Sequence, residues 1–283
     1  MKTICAIIKD EHNFLREWID WHLTLGFDSI HLFEDKGSKS HEDLVKQYDN
    51  VFLRRYEDDE EIQTLLQGDN FHNRQYLIYS WFCETTDVDW VAFIDIDEFI
   101  IFEEGWNLEK LCTHFQDYPA LYLFWKMKGA SGHVHKPKCG VMEAYTIDSP
   151  FISSDIGWNC KSFVNINKRE GLRTIHHANG AVRTDGTEGE EPIYEKVWIN
   201  HYFTKSWDDW CDRIYNRGDV ACNNRTLHQF FECNPDMEPL KDKLIDSVSE
   251  RIPFGTYWLD KNKGLIAGGN TKTIEQLNKR ITD

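Results

Sequence analysis

The sequence predicts an α/β fold: a mixed, mostly parallel sheet flanked by helices, with a helical C-terminal segment. Two observations predict it. Strand-like and helix-like segments alternate over the first hundred residues, the pattern of parallel strands joined by helices. The apolar run at residues 91–94, Val-Ala-Phe-Ile, is continuous instead of alternating, as expected of a strand covered on both faces. A chain of 283 residues, 41% hydrophobic and 14% aromatic, can bury the core that such a sheet needs.

Taken in order, TICAIIK (3–9) reads as the first strand. Asp10 is placed to cap the next helix, where Phe14, Leu15, Trp18, Ile19, His22 and Leu25 recur at helical spacing up to Gly26. SIHLFE (29–34) is a second strand, EDLVKQY (42–48) a short helix and VFLRRY (51–56) a third strand. The acidic run Glu57-Asp58-Asp59-Glu60-Glu61 reads as a solvated loop. Residues 69–86 have helical character, and WVAFIDID (90–97) is the fourth strand. From residue 120 strands dominate: ALYLFWKM (120–127), GVMEAYT (140–146), CKSFVNI (160–166) and KVWINHYF (196–203). Helices return at 206–217, 226–233 and 240–251, with Ser206 and Asp209 fitting a capping box at the first.

The formal net charge of −16 repels nucleic acid and anionic lipid, so no nucleic acid and at most peripheral membrane contact are expected. Eight cysteines without Cys-x-x-Cys spacing fit reduced thiols. The first apolar run is too short for a signal peptide, and no stretch reaches the roughly 18 residues of a membrane span. The expected location is cytoplasmic.

Asp95 and Asp97 stand one residue apart at the end of the most apolar strand, where i and i+2 side chains share a face. In parallel sheets, ligands bind beyond these carboxyl ends. Such a pair can be a solvated strand end, a general acid and base, or a divalent-metal site. Two ionised carboxylates about 4 Å apart repel by roughly 4 kcal/mol at an effective dielectric of about 20. A cation removes that penalty, and Mg²⁺ or Mn²⁺ commonly bridges carboxylates to substrate phosphates, which favours metal ligation. Haloacid-dehalogenase-like phosphatases also carry Asp-x-Asp after an apolar strand. They need Thr or Val two residues after the second aspartate, where this chain has Phe99.

The motif FIDIDEFI (93–100), preceded by KDEHNFLREWIDWHLTLGFDSIHLFEDKGS (9–38), resembles bacterial members of glycosyltransferase family 92 and related family 2-like enzymes. The resemblance continues in FHNRQYLIYSWFCE (71–84), FWKMKGASGHVHKP (124–137) and NHYFTKSWDDWCDRIYNRGD (200–219). It implies a GT-A-like, Rossmann-like fold and transfer of a sugar from a nucleotide-sugar donor to a glycan or glycolipid acceptor, with inversion. On that basis residues 1–218 form the catalytic domain, with a nucleotide-binding half at 1–105 and an acceptor half at 106–218. Residues 219–283 form the helical C-terminal segment.

The resemblance places the metal, Mn²⁺ or Mg²⁺, on Asp95 and Asp97, with His201 in NHY..KS as a third ligand. Asp95 also counts among the nucleotide-binding residues, with Lys9, Glu11, Glu34, Asp35, Arg74 and Gln75. Asp10 and Asp35 also fit a helix cap and a turn, and Arg74 a surface ion pair. Gly132 and His133, in the Gly-rich GASGH loop, are placed near the transferred sugar or the acceptor. Trp158 is expected to stack on the acceptor, Asp155 to act as the catalytic base, and Glu143 to stand second for that role. The alternatives are a metal-dependent phosphohydrolase and a non-catalytic nucleotide- or sugar-binding module.

Overall fold

The computed structural model describes residues 1–67, 74–150, 159–214 and 226–251. The chain divides into two compact units, residues 1–127 with 152–202 and residues 128–151 with 203–283. The units interleave along the chain.

The first unit holds the sheet. Its strands in chain order are β1 (Lys2–Ile8), β2 (Ser29–Glu34), β3 (Val51–Arg55), β4 (Trp90–Phe93), β5 (Glu98–Phe102), β6 (Ala120–Met127), β7 (Cys160–Asn165), β8 (Ala181–Val182) and β9 (Val197–His201). In space they run β3-β2-β1-β4-β7-β6-β9-β5, with β8 beside β6. The first four are mutually parallel; β7 then runs antiparallel to both β4 and β6. β6 joins the two halves of the sheet, since Ala120–Phe124 pair with β7 while Trp125–Met127 pair with β9.

Helices α1 (Leu15–Thr24), α2 (Glu42–Val45), α3 (Glu60–Leu65), α4 (Arg74–Thr85) and α5 (Leu108–His114) belong to this unit. α4 sets Ile78, Tyr79, Phe82 and Cys83 into one core with Cys5, Phe33, Val91 and Phe93. Each such side chain contributes about 1.5–3 kcal/mol by leaving water. α1 covers the edge strand β5. Trp18 Nε1 donates to the Glu98 carbonyl (2.8 Å), Trp21 Nε1 donates to the Ile100 carbonyl (2.9 Å), and His22 Nε2 accepts from the Ile100 amide (3.3 Å). His22 Nδ1–H donates to the Trp18 carbonyl, and burial pushes this imidazole down to about 3, so it stays in the neutral form that can accept. Side chains thus do for this edge what a further strand would do.

Four local expectations are corrected. Asp10 does not cap α1, whose N-cap is Phe14 with no side-chain bond. Asp10 instead takes the left-handed region (φ 54°), which Asp tolerates, and accepts from the Lys39 amide at 2.9 Å. The acidic run is not all loop: Asp59 caps α3 through the Ile62 amide, and Glu60 and Glu61 fill its first turn, where acids favour the helix dipole. GVMEAYT is not a strand, because Val141, Ala144 and Tyr145 are buried at helical spacing, and Val141–Ala144 form a short helix, α6. β4 ends at Phe93, so Asp95 and Asp97 lie in a turn beyond it.

The second unit contains α6 with α7 (Trp207–Asp212), α8 (Leu227–Cys233) and α9 (Lys241–Arg251). Trp207, Trp210, Phe230, Phe231 and Met237 form its core. Ser206 caps α7 by accepting from the Asp209 amide. The reciprocal half of the box is not made, for Ser206 N–H donates to Tyr145 Oη while Asp209 accepts from the Ser206 hydroxyl. Thr226 caps α8.

Replacing Trp18 with Phe leaves the Glu98 carbonyl without its donor. It is expected to lower the unfolding free energy by about 1–3 kcal/mol in urea titrations. An unchanged midpoint would show that α1 does not anchor β5.

Candidate active site

The turn between β4 and β5 is built from alternating inward and outward residues. Ile94 and Ile96 point into the core, whereas Asp95 and Asp97 remain half-buried. The Glu98 amide donates to the Asp95 carbonyl (3.1 Å), and the Asp95 amide donates to Glu98 Oε2 (2.9 Å). The Asp97 carbonyl accepts from the Tyr202 amide at 2.8 Å, tying the turn to the end of β9. The two aspartates therefore share a side because their isoleucine neighbours are anchored, not because a strand continues through them.

The carboxylates then part company. Asp95 is held from two sides: Gln75 Nε2 on α4 donates to Oδ1 (2.7 Å) and Lys161 Nζ on β7 donates to Oδ2 (2.8 Å). Glu98, fully buried, faces His201 across the β5–β9 ladder. Its Oε1 lies 3.8 Å from Lys161 Nζ and has no hydrogen-bond partner among the described residues. Asp97 Oδ1 lies 3.5 Å from His201 Nε2. Asp97, Glu98 and His201 each offer a ligand atom, all within 4.8 Å of one another. Opposite ligands on an octahedral Mg²⁺ stand about 4.2 Å apart, twice a bond of about 2.1 Å. One ion could take all three as ligands once they draw closer together, and Glu98 Oε1, which makes no hydrogen bond among the described residues, is a ready donor atom. These residues fit a hard divalent cation.

The electrostatics agree. Burial pushes the Glu98 pKa well above its ordinary 4.5; Lys161 opposes this, while Asp95 and Asp97 add to it. Burial also works against charge on Asp95 and Lys161, but their mutual attraction prevails, lowering the Asp95 pKa and raising that of Lys161. His201 packs on Trp125 with ring centroids 4.4 Å apart, and His176 lies on the same indole at 5.4 Å. Burial, helped by Lys161, pushes His176 down to about 3, so it remains neutral.

Beyond the ends of β1 and β2, the predicted nucleotide residues divide. Asp35 is buried and receives Arg74 Nη1 on Oδ1 at 2.7 Å, and the Arg74 guanidinium lies over the Tyr56 ring at 5.0 Å. Asp35 Oδ2 has no hydrogen-bond partner among the described residues. Lys9 and Glu11 are half-buried in the loop after β1, and the Glu11 amide donates to His41 Nε2 (3.1 Å). Glu34 is engaged within the fold. One of its oxygens takes the His41 amide and Nδ1 and the other takes Arg55 Nε (2.6 Å), leaving a buried, engaged carboxylate.

The acceptor-side predictions fall mostly on the second unit. His133 Nε2 contacts the Ala144 carbonyl (3.1 Å), and its ring packs edge-on against Tyr145. Gly132 takes φ +76° with open space around it. The close backbone approach in this loop is made at Gly129 by Asn234, whose Oδ1 would lie 2.7 Å from an added Cβ. Glu143 is exposed on α6. Asp155 and Trp158 lie outside the described residues.

A family model, Glycosyltransferase family 92, matches residues 3–219. The chain belongs to glycosyltransferase family 92. A family 92 protein of Oryza sativa subsp. japonica is 24% identical over 231 residues, covering 76% of this chain and 35% of that protein. One from Ricinus communis is 21% identical over 229 residues, covering 76% and 37%. The chain thus spans about a third of the length of these curated relatives. Among solved structures it is similar to 4-diphosphocytidyl-2C-methyl-D-erythritolsynthase from Anaerococcus prevotii. That match is 14% identical with a TM-score of 0.28, over 59% of this chain and 71% of that one. Among the described residues, no helix is long and apolar enough to cross a membrane, and the cysteines are free thiols.

Two residues of this candidate site escaped the motif reading: Glu98 and Lys161. Both carried a signal. Each is the lone charge of its strand, and a buried charge requires a partner. The sign of Glu98's shift gives a test. Its folded-state pKa is raised, so protonation favours the fold below 4.5, and that contribution is lost as pH rises towards the folded value. In EDTA, Glu98→Gln is expected to match the wild type below that pH and to become progressively more stable than it above. Chemical denaturation across pH measures this, and a pH-independent difference would contradict the assignment.

Proposed function

We propose that this chain is a metal-dependent, inverting glycosyltransferase. It moves a sugar from a UDP-sugar to a hydroxyl of a glycan or glycolipid, on a GT-A-like sheet. The observation that carries the proposal is the gathering of Asp97, Glu98 and His201 beyond β4, in a chain of family 92. Asp97, Glu98 and His201 would hold Mn²⁺ or Mg²⁺, and the bound cation would offset the charge of the departing nucleoside diphosphate.

The chain's own residues account for the rest. Asp35, oriented by Arg74, keeps one carboxylate oxygen for a nucleoside hydroxyl or N–H. Tyr56, beneath the Arg74 guanidinium, extends that surface with an aromatic ring. Gln75 and Lys161 hold Asp95 against movement as charge develops beside it. The acceptor hydroxyl attacks the anomeric carbon opposite the leaving group and gives its proton to a carboxylate, assigned on the sequence to Asp155. Trp158 is assigned to the acceptor ring on the same ground.

UDP release from a panel of UDP-sugars, with and without acceptor and Mn²⁺, tests the reading. Release that needs both is expected. Equal release without acceptor would make the chain a hydrolase, and binding without turnover a binding module. His201→Ala is expected to raise the Mn²⁺ Kd by about tenfold or more. Asp155→Asn is expected to lower kcat about 10²–10⁴-fold while sparing both affinities. Normal turnover in Asp155→Asn would move the base to Glu143.

A further inference from the structure

Lys161 touches no substrate in the reaction as written, yet its position is unusual. It sits on β7, a strand that is buried throughout, and its side chain is fully enclosed. β7 pairs with β4 through Phe93↔Ser162, so Lys161 follows at the mouth of the ladder, beside the turn that carries the carboxylates. Its ammonium lies 2.8 Å from Asp95 Oδ2 and 3.8 Å from Glu98 Oε1. Such burial keeps Lys161 from reaching a substrate. What it can do is decide which carboxylate meets the cation.

We propose that Lys161 is a positioning residue: it commits Asp95 to an internal ion pair and leaves Asp97, Glu98 and His201 to meet the metal. The inference rests on the metal reading above and sharpens it. Both Asp95 oxygens already take donors fixed on separate elements, Gln75 on α4 and Lys161 on β7. A cation that took Asp95 as a ligand would share its oxygens with both donors and would bind on a carboxylate 2.8 Å from the ammonium, against 3.8 Å for Glu98. Glu98 is placed differently. Its Oε2 is spent on the Asp95 amide, and its Oε1 has no hydrogen-bond partner among the described residues. The Asp-x-Asp motif is thereby split: its second aspartate joins the ligand set, and its first orders the turn.

The charge arithmetic gives an outcome with an unexpected sign. Removing Lys161 makes the site one unit more negative and frees Asp95, so the cation binds more tightly. A lysine that merely filled space would weaken binding on removal or leave it unchanged. Removing the charge of Asp95 as well restores both the net charge and the ligand set.

Mn²⁺ titrations followed by electron paramagnetic resonance, on wild type, Lys161→Met and Lys161→Met/Asp95→Asn, test this without turnover. Circular dichroism confirms folding. Lys161→Met is expected to bind Mn²⁺ about tenfold more tightly than wild type, and the double variant to stay within about threefold of it. If Lys161→Met fails to fold, the double variant decides, since it leaves no unpaired buried lysine or Asp95 charge. A tenfold loss in the double variant would make Asp95 a ligand and overturn the inference. So would a folded Lys161→Met whose affinity is unchanged or weaker. Absence of Mn²⁺ binding by the wild type would overturn the metal reading itself, and this inference with it.

Discussion

Lys161 is an ammonium shut away from water where the two halves of the sheet meet, 2.8 Å from Asp95 Oδ2 and 3.8 Å from the buried Glu98 Oε1. A buried ammonium does not tolerate that position alone. Leaving such an ammonium with no charged partner costs about 3–5 kcal/mol; Asp95 supplies that partner, whereas burial favours the protonated form of Glu98. Lys161 belongs to β7, which is laced to β4 and hence to the parallel strands. Glu98 opens β5, which is laced to β9. Their proximity therefore depends on the β4–β5 turn holding its shape. That turn depends in turn on Ile94 and Ile96 remaining in the core and on α1 clamping β5 with Trp18, Trp21 and His22.

Three carboxylates and one ammonium in so small a space leave the cluster short of positive charge. The raised pKa of Glu98 is the apo protein's answer, because a proton substitutes for a cation. A divalent ion held by Asp97, Glu98 and His201 would do the same more completely. The same economy governs the region beyond β2. There Arg74 balances the buried Asp35, and Arg55 balances the buried Glu34, to which His41 adds hydrogen bonds. The difference lies in what is left over: Asp35 keeps an oxygen without a hydrogen-bond partner among the described residues, whereas both oxygens of Glu34 are engaged.

Much of this was legible from periodicity. The runs read as the first three strands, the fourth up to Phe93, and the helix of Leu15, Trp18, Ile19 and His22 all formed, because a burial pattern repeated long enough to fix the element. Short segments were harder. GVMEAYT offered one apolar pair at i,i+2 and two at i,i+3, and burial of Val141 and Ala144 settled it as helix. Asp59 looked like one acid among five, although an extended Asp followed by Glu-Glu-Ile is a helix start. At the site, the Asp-x-Asp spacing drew attention to two aspartates and away from the glutamate beside them. Ligand choice there depends on Lys161, 66 residues along the chain, and pairing at that range leaves no periodic trace.

The central claim is that Asp97, Glu98 and His201 form one cation site at the end of the parallel strands. Anomalous diffraction from crystals grown with Mn²⁺ and UDP addresses it most directly. The account predicts an anomalous peak coordinated by these three side chains and the diphosphate, with Asp95 still on Lys161. A peak held by Asp95 with Lys161 displaced, or UDP bound with no peak at the cluster, would contradict it.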